Sequence, residues 1–225
     1  MTSRRLIIAI DGPSGAGKGT VARTIASRLN YRHIDTGAMY RAVAWLALHD
    51  GIDLQDEARV ASVARAAALE LEDGVRANGH EVSSLIRTPE MDKAAAAVAR
   101  HPSVRAVLVE RQRAYGQGGG IVMEGRDIGS VVFPDADVKI YLDATPSERA
   151  RRRAGDPAHS TGREAKALDL VQGELAARDT SDSTRAVSPL TQAPDAIYLD
   201  TTGVPVDDVV TRVLEIVGKS VPQTK

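Results

Sequence analysis

Cysteine is absent from all 225 residues. That excludes disulfides and thiolate metal sites, and it fits a reducing compartment. Also missing are a long uncharged apolar stretch and a signal-peptide pattern, since Arg4-Arg5 leads directly into a short apolar run. The expectation is a soluble, cytoplasmic protein with no membrane span. Net charge is only −1, too little for bulk attraction to nucleic acid or to a membrane surface. Lysine is confined to positions 18, 93, 139, 166, 219 and 225, so arginine carries most of the positive charge. Coding bias in an alanine-rich chain accounts for much of that excess, and position must decide which arginines clamp phosphate through bidentate forks. Asparagine occurs only at Asn30 and Asn78, followed by Tyr31 and Gly79, so the Asn-Lys-x-Asp motif that reads guanine in switch proteins is missing. No internal repeat is visible. At 43% hydrophobic, a chain of this length can bury one good core with a small inserted lobe.

The most informative residues present are Gly12-Pro13-Ser14-Gly15-Ala16-Gly17-Lys18-Gly19-Thr20. They follow the apolar run Leu6–Ile10 and Asp11, and they lead into a pattern in which Val21, Ile25 and Leu29 recur about once per turn. Strand, glycine-rich loop and helix in that order make a phosphate-binding loop. Backbone N–H groups wrap around phosphate oxygens, the helix N-terminus adds partial positive charge, and Lys18 supplies a mobile full charge. One departure stands out. The Ser or Thr usual after the lysine is Gly19, with Thr20 one position later, so a hydroxyl on magnesium is not to be assumed.

Further apolar runs near Tyr31–Ile34, Ile121–Met123, Val138–Leu142 and Ile197–Leu199 read as buried strands separated by amphipathic helices. The alternation predicts an α/β fold with a mainly parallel five-stranded sheet covered on both faces. Ligands gather at the C-terminal strand ends of such sheets. Asp11, Asp35, Glu124, Asp143 and Asp200 all lie just past an apolar run, where they either help hold magnesium or cap the next helix. From about Asp53 to Arg113 the pattern breaks: a helix over Asp56–Ala67, then short alternating pieces around the turn dipeptides Asp73-Gly74 and Asn78-Gly79, then helices near Glu90–Arg100 and Val104–Tyr115. This predicts a small antiparallel sheet in a lobe inserted over the site.

Four blocks carry charge where a phosphate ligand would need it. Asp35-Thr36-Gly37-Ala38-Met39-Tyr40-Arg41 opens a helix with Thr36 as the expected N-cap. Glu124-Gly125-Arg126-Asp127-Ile128-Gly129 follows a central strand and offers a fork and an acceptor side by side. Ser147 to Arg153 opens a helix on which Arg149, Arg152 and Arg153 share a face, as a phosphate-covering lid requires. Arg178, Asp182 and Arg185 crowd a polar stretch placed after a helix over Lys166–Ala177. His33 and Trp45 match no motif and read as packing residues.

With these blocks in this order, the chain resembles the bacterial cytidylate kinase family, the CMP/dCMP kinases of the nucleoside monophosphate kinase group. The resemblance runs from IAIDGPSGAGKGT through DTGAMYR, SSLIRT, EGRDIGSVVFPDA and KIYLDA to RAVSPL. It implies a three-layer P-loop NTPase fold as one kinase domain over 1–225. The core would span 1–35, 117–148 and 186–218, with a monophosphate-binding insert over about 36–116. A lid over about 149–165 and a flexible tail at 219–225 would complete it. It implies ATP as donor held by Gly12 to Thr20 and by Arg149, Arg152 and Arg153, with magnesium alongside and Asp35 and Glu124 beyond its water shell. Arg41, Arg126 and Arg178 would grip the CMP phosphate or the group in transit, and with Lys18 would be the catalytic residues. Thr36, Asp182 and Arg185 would take the sugar side, Tyr40 would join them in the CMP site, and Arg105 and Asp127 would read the cytosine edge. The partners implied are CMP or dCMP and ATP, with no nucleic acid and no membrane, and the chain is expected to be a monomer. Where many relatives carry a serine near the base, this chain has Ala94-Ala95-Ala96-Ala97.

An acceptor phosphate has a second pKa near 6 and is largely dianionic at neutral pH. Its oxygen is already nucleophilic, so cations rather than a general base must do the work. No His–carboxylate pair stands out in the sequence. A kinase for UMP, AMP or another small acceptor is the competing reading, and a nucleotide-binding switch is the alternative of a different class.

Overall fold

Strands and helices alternate along the chain in the computed structural model, which describes residues 5–72, 74–156 and 168–220. Strands β1 (Ile7–Asp11), β2 (Arg32–Asp35), β6 (Ile121–Gly125), β7 (Val138–Asp143) and β8 (Ile197–Asp200) form a five-stranded sheet in the order β2-β6-β1-β7-β8. Every neighbouring pair in it is parallel. Successive side chains point to opposite faces, and the core divides accordingly. Ala9, Ile34, Ile121 and Met123 pack on one side with helices α2 (Thr36–His49), α3 (Glu57–Ala66), α4 (Pro89–Val98) and α5 (Pro102–Tyr115). Ile8, Ile10, Val122 and Ile140 pack on the other with α1 (Lys18–Leu29) and α8 (Val206–Ser220). Ile8, Ile10 and Ile25 are fully buried, each contributing about 1.5–3 kcal/mol relative to exposure.

The insert holds β3 (Leu69–Glu70), β4 (Arg76–Ala77) and β5 (His80–Glu81), paired antiparallel. Asn78 and Gly79 join β4 to β5 with φ of 50° and 82°, the pair of positive values that a two-residue hairpin turn requires. Val75, Ala77, Val82 and Ile86 pack this sheet against Ala38, Ala42 and Leu46 of α2, so the insert stands on the helix that leaves β2. Trp45 lies partly against this cluster and stacks on His49 at 4.8 Å between ring centroids.

Two local expectations are corrected. Thr36 is not the cap of α2; Asp35 is, its side chain accepting from the Ala38 N–H at 3.0 Å. A carboxylate there satisfies an orphan donor and sits in the positive field of the helix terminus. Helix α7 runs Leu168–Ser183, so Arg178 and Asp182 project from a helix rather than a polar connector. Residues 166 and 167, most of the expected lid (157–165) and the tail beyond Ser220 lie outside the described residues, while Lys219 still belongs to α8. The described part of the lid is α6 (Pro146–Ala154).

Candidate active site

The C-terminal ends of β1, β2 and β6 open into one cleft of about 620 Å³. Its floor is the loop from Ser14 to Thr20, and Gly17 caps α1 with a left-handed φ of 89°. Lys18 is buried, and its Nζ donates to the Pro13 carbonyl at 2.7 Å. Burial pushes its ammonium down to about 7, and the Arg126 guanidinium adds to that push. A cation so desolvated is stabilised by an incoming anion. A Cβ on Gly19 would lie 3.0 Å from Glu124 Oε1, which gives the missing hydroxyl a steric reason: the β6 carboxylate occupies the space beside the loop.

Asp35 and Glu124 are register partners on β2 and β6, and both line the cleft. Asp35 holds Arg41 at 2.8 Å. Burial alone would raise its carboxyl, but Arg41 and the Ala38 N–H outweigh that and hold it near 2. Glu124 meets His33 Nε2 at 3.1 Å, so His33 is more than the packing residue expected. Asp11 turns out to be a cap: its two oxygens accept from the N–H groups of Ile128 and Gly129 at 2.8 and 2.7 Å. It thereby pins the π-helical turn Ile128–Val132 and the Arg126-Asp127 pair to the end of β1. Burial pushes Asp11 up to about 6 despite those two bonds.

The expected arginines divide by position. Arg41, Arg126, Arg152, Arg153 and Arg178 line the cleft. Arg126 Nε binds Asp182 at 2.9 Å, and Arg185 stands 3.6 Å from the same carboxylate. Burial works against the ionised form of Asp182, yet the Arg126, Arg185 and Arg178 guanidiniums hold its carboxyl below the usual range. Arg149 does not line the cleft. Its guanidinium donates to the Ala144 and Ser14 carbonyls and to Asp179, which in turn accepts from the Ser14 N–H. Arg152 reaches the Ala16 carbonyl and Thr201 Oγ1 at 3.3 and 2.8 Å, so it both braces the loop and borders the cleft. Thr36 Oγ1 donates to the Glu124 carbonyl at 2.7 Å.

Beside the cleft lies a second polar nest. Arg105 and Asp127 form a buried ion pair, and the Arg105 guanidinium sits 5.4 Å from the Tyr40 ring centroid. Burial pushes the Tyr40 hydroxyl up to about 12. Arg105 Nε is buried with no hydrogen-bond partner among the described residues, and Tyr40 Oη and Gln112 Nε2, close enough to interact with each other, make no well-formed hydrogen bond. Orphaned buried polar groups are uncommon in a native fold and call for an explanation such as an absent ligand.

Sequence reasoning missed several of these participants. Arg87 lines the cleft and acts electrostatically on Asp35; its motif SSLIRT was visible, but no role attached to the arginine. Asp92 pairs with Arg178 at 2.9 Å and with Arg153. As an acid in the first turn of α4 it has a complete local explanation in the helix dipole, which conceals the tertiary one. Asp179 carries no local signal at all. Among the described residues no group of three or more His, Cys, Asp or Glu is arranged to hold a metal, and no helix is long and apolar enough to cross a membrane.

Known proteins give an independent comparison. The family model described as cytidylate kinase matches residues 8–219. A cytidylate kinase from Solibacter usitatus (strain Ellin6076) is 49% identical over 97% of this chain and 94% of its own length. One from Geobacillus kaustophilus (strain HTA426) is 47% identical over 97% and 99%. Among solved structures, shikimate kinase from Acinetobacter baumannii in complex with shikimate covers 98% of this chain and 97% of its own, at 14% identity and a TM-score of 0.50. That likeness concerns the fold alone. With a glycine-rich loop between β1 and α1, an arginine-lined cleft and matches of this extent, the chain belongs to the cytidylate kinase family.

Proposed function

We propose that the chain transfers the γ-phosphoryl group of ATP to CMP or dCMP, giving ADP and CDP or dCDP, as a monomer in the cytoplasm. The observation that carries this reading is the pairing of two sites. A cationic cleft holds Lys18, Arg41, Arg126 and Arg178, and a buried nest beside it holds Arg105, Asp127 and Tyr40. The cleft suits two polyanions brought together. The nest suits the polar edge of a base, because a guanidinium and a carboxylate complement a carbonyl oxygen, a ring nitrogen and an exocyclic amine. Its incompletely satisfied donors fit a ligand that completes them.

The roles follow from charge and position. Lys18 and the loop N–H groups would hold the ATP phosphates, with Arg152 and Arg153 over them and Arg149 bracing the loop from behind. Arg41, Arg126 and Arg178, joined by Arg87, would hold the acceptor phosphate. Asp182, Arg185 and Thr36 would border the sugar. The acceptor oxygen is already ionised at neutral pH, so in-line transfer needs alignment and charge neutralisation rather than a base.

Asp35 and Glu124 bring adjacent hard oxygens to the cleft, a donor set suited to the water shell of magnesium. When bound with ATP, that ion would supply charge neutralisation to the donor phosphates. The division into core (1–35, 117–148, 186–218), insert (about 36–116) and lid (about 149–165) belongs to the same reading.

Steady-state ADP release with CMP, dCMP, UMP and AMP as acceptors tests it. CMP and dCMP should give the highest kcat/KM; a preference for AMP, or no turnover with CMP, would overturn the assignment.

A further inference from the structure

Asp92 stands in the first turn of α4, on the insert, and only 9% of it is exposed. Its Oδ1 is 2.9 Å from Arg178 Nη1 on α7, and its Oδ2 accepts from Arg153 Nη2 on α6. One carboxylate thus joins three elements that are far apart in sequence. Both arginines line the phosphate cleft, but Asp92 does not. It lines a separate cavity of about 400 Å³ between α4 and α7, on the other side of the two guanidiniums.

That placement decides between two roles. A carboxylate inside the cleft would compete with substrate phosphates for the arginines. A carboxylate behind them holds each planar fork by one edge and aims it, because guanidinium geometry is directional. The roles proposed above put the two arginines on different substrates. Arg153 follows Arg152, which touches the Ala16 carbonyl of the phosphate loop. Arg178 lies four positions before Asp182, the partner of Arg126.

We propose that Asp92 couples the donor and acceptor phosphate sites, so that fixing one arginine on its substrate pre-orders the other. The proposal rests on the donor and acceptor assignments made above. Its physical basis is shared ordering: once the first ligand has immobilised the bridge, the second meets a site that loses less freedom on binding.

Calorimetric titration of CMP, alone and with a saturating β,γ-imido ATP analogue plus magnesium, tests the idea in wild type and Asp92→Asn. Wild type should bind CMP at least about 5-fold more tightly with the analogue present, the low end of ordinary coupling between sites. In Asp92→Asn that factor should fall close to one while CMP alone still binds, and Asp92→Glu should restore part of it. A purely structural Asp92 would weaken both CMP affinities alike and leave their ratio intact. An intact ratio in Asp92→Asn, or no synergy in wild type, overturns the proposal. Arg153→Met cuts the same bridge from the lid side and must lose the synergy too, which keeps the idea testable if Asp92→Asn does not fold. Failure of wild type to bind CMP at all sinks the functional reading and this proposal with it.

Discussion

The donor loop and the acceptor side of the cleft are built in opposite ways. The loop is one contiguous stretch, Gly12 to Thr20, whose backbone supplies most of the chemistry and whose single cation, Lys18, begins the helix that follows. The acceptor side is assembled from α2 and α4 of the insert, the end of β6, and α7. Two of its charges are held by a partner on a distant segment, Arg126 by Asp182 and Arg178 by Asp92, and Arg41 is held by Asp35 at the cap of its own helix. A contiguous site tolerates little substitution but depends little on the rest of the fold. An assembled site distributes its charge over several pairs, so losing one member should degrade it by steps. Mutation can therefore separate the two sides by the size and the kind of loss.

The largest loss belongs to the loop. Lys18→Ala removes the cation whose value is greatest as charge redistributes in the transition state, and kcat should fall about 10²–10³-fold or more. Single-turnover measurement at saturating ATP and CMP isolates that effect from binding. Near-normal turnover would place the essential charge elsewhere and erase the contrast between the two sides.

Loss on the acceptor side should be selective rather than global. Asp127→Ala removes one partner of the buried Arg105 pair, and a lost buried polar contact costs about 1–3 kcal/mol. The ratio of kcat/KM for CMP over UMP should then drop roughly 5- to 150-fold, mostly through KM for CMP, with KM for ATP little changed. Comparing the two acceptors within one preparation cancels any loss of folded enzyme. An unchanged ratio would show that the nest does not read the base.

Gly19→Ala probes the seam between the two sides. The new methyl would stand 3.0 Å from Glu124 Oε1, so the carboxylate, held by His33, must yield by a few tenths of an ångström. Turnover should fall by a modest factor, roughly 2- to 10-fold for about 0.5–1.4 kcal/mol of strain. Glu124→Gln should not relieve that loss, since its size is the same, whereas Glu124→Ala should remove the clash. Steady-state kinetics of the single and double variants would show whether the pair is non-additive, and strict additivity would mean that the two groups do not meet.

The same difference in construction explains what could be read from the sequence. The five strands, the loop and the insert's antiparallel sheet were legible because periodicity, glycine spacing and turn dipeptides are local signals. The Arg41, Arg126, Arg178 and Arg185 blocks were found because a recognisable motif surrounds each. Asp92, Asp179 and the capping role of Asp11 were not, because each acts on a residue many positions away; Asp92 and Asp11 also have a sufficient local reason for an acid, and Asp179 has no local signal. Asp35 and Thr36 are both good capping residues, so the local pattern alone does not choose between them. Pairing across β2 and β6 brings Thr36 Oγ1 onto the Glu124 carbonyl.

The smallest expected effect concerns protons, and it again falls on the loop. The buried Lys18 ammonium is pushed down to about 7 in the empty site, against about 10.4 for an exposed lysine in an unfolded chain. Below pH 7 both states carry the proton, and the folded state bears the full burial penalty. Between about 7 and 10.4 the unfolded chain binds more protons than the folded one, so this group makes stability rise with pH across that window. Bound phosphates should reverse the shift, because an adjacent anion favours the charged form. At pH 8 the ATP phosphates are already ionised, so ATP binding should draw up to about one proton onto Lys18. Titration calorimetry in two buffers of different ionisation enthalpy measures that uptake directly. It should fade toward pH 6, where Lys18 is already protonated, and vanish in Lys18→Met. CMP binding should draw less, because the arginines on its side are charged throughout this range. Equal proton uptake for the two nucleotides would mean that Lys18 serves both phosphates alike, and the division between a donor loop and an acceptor assembly would have to be redrawn around it.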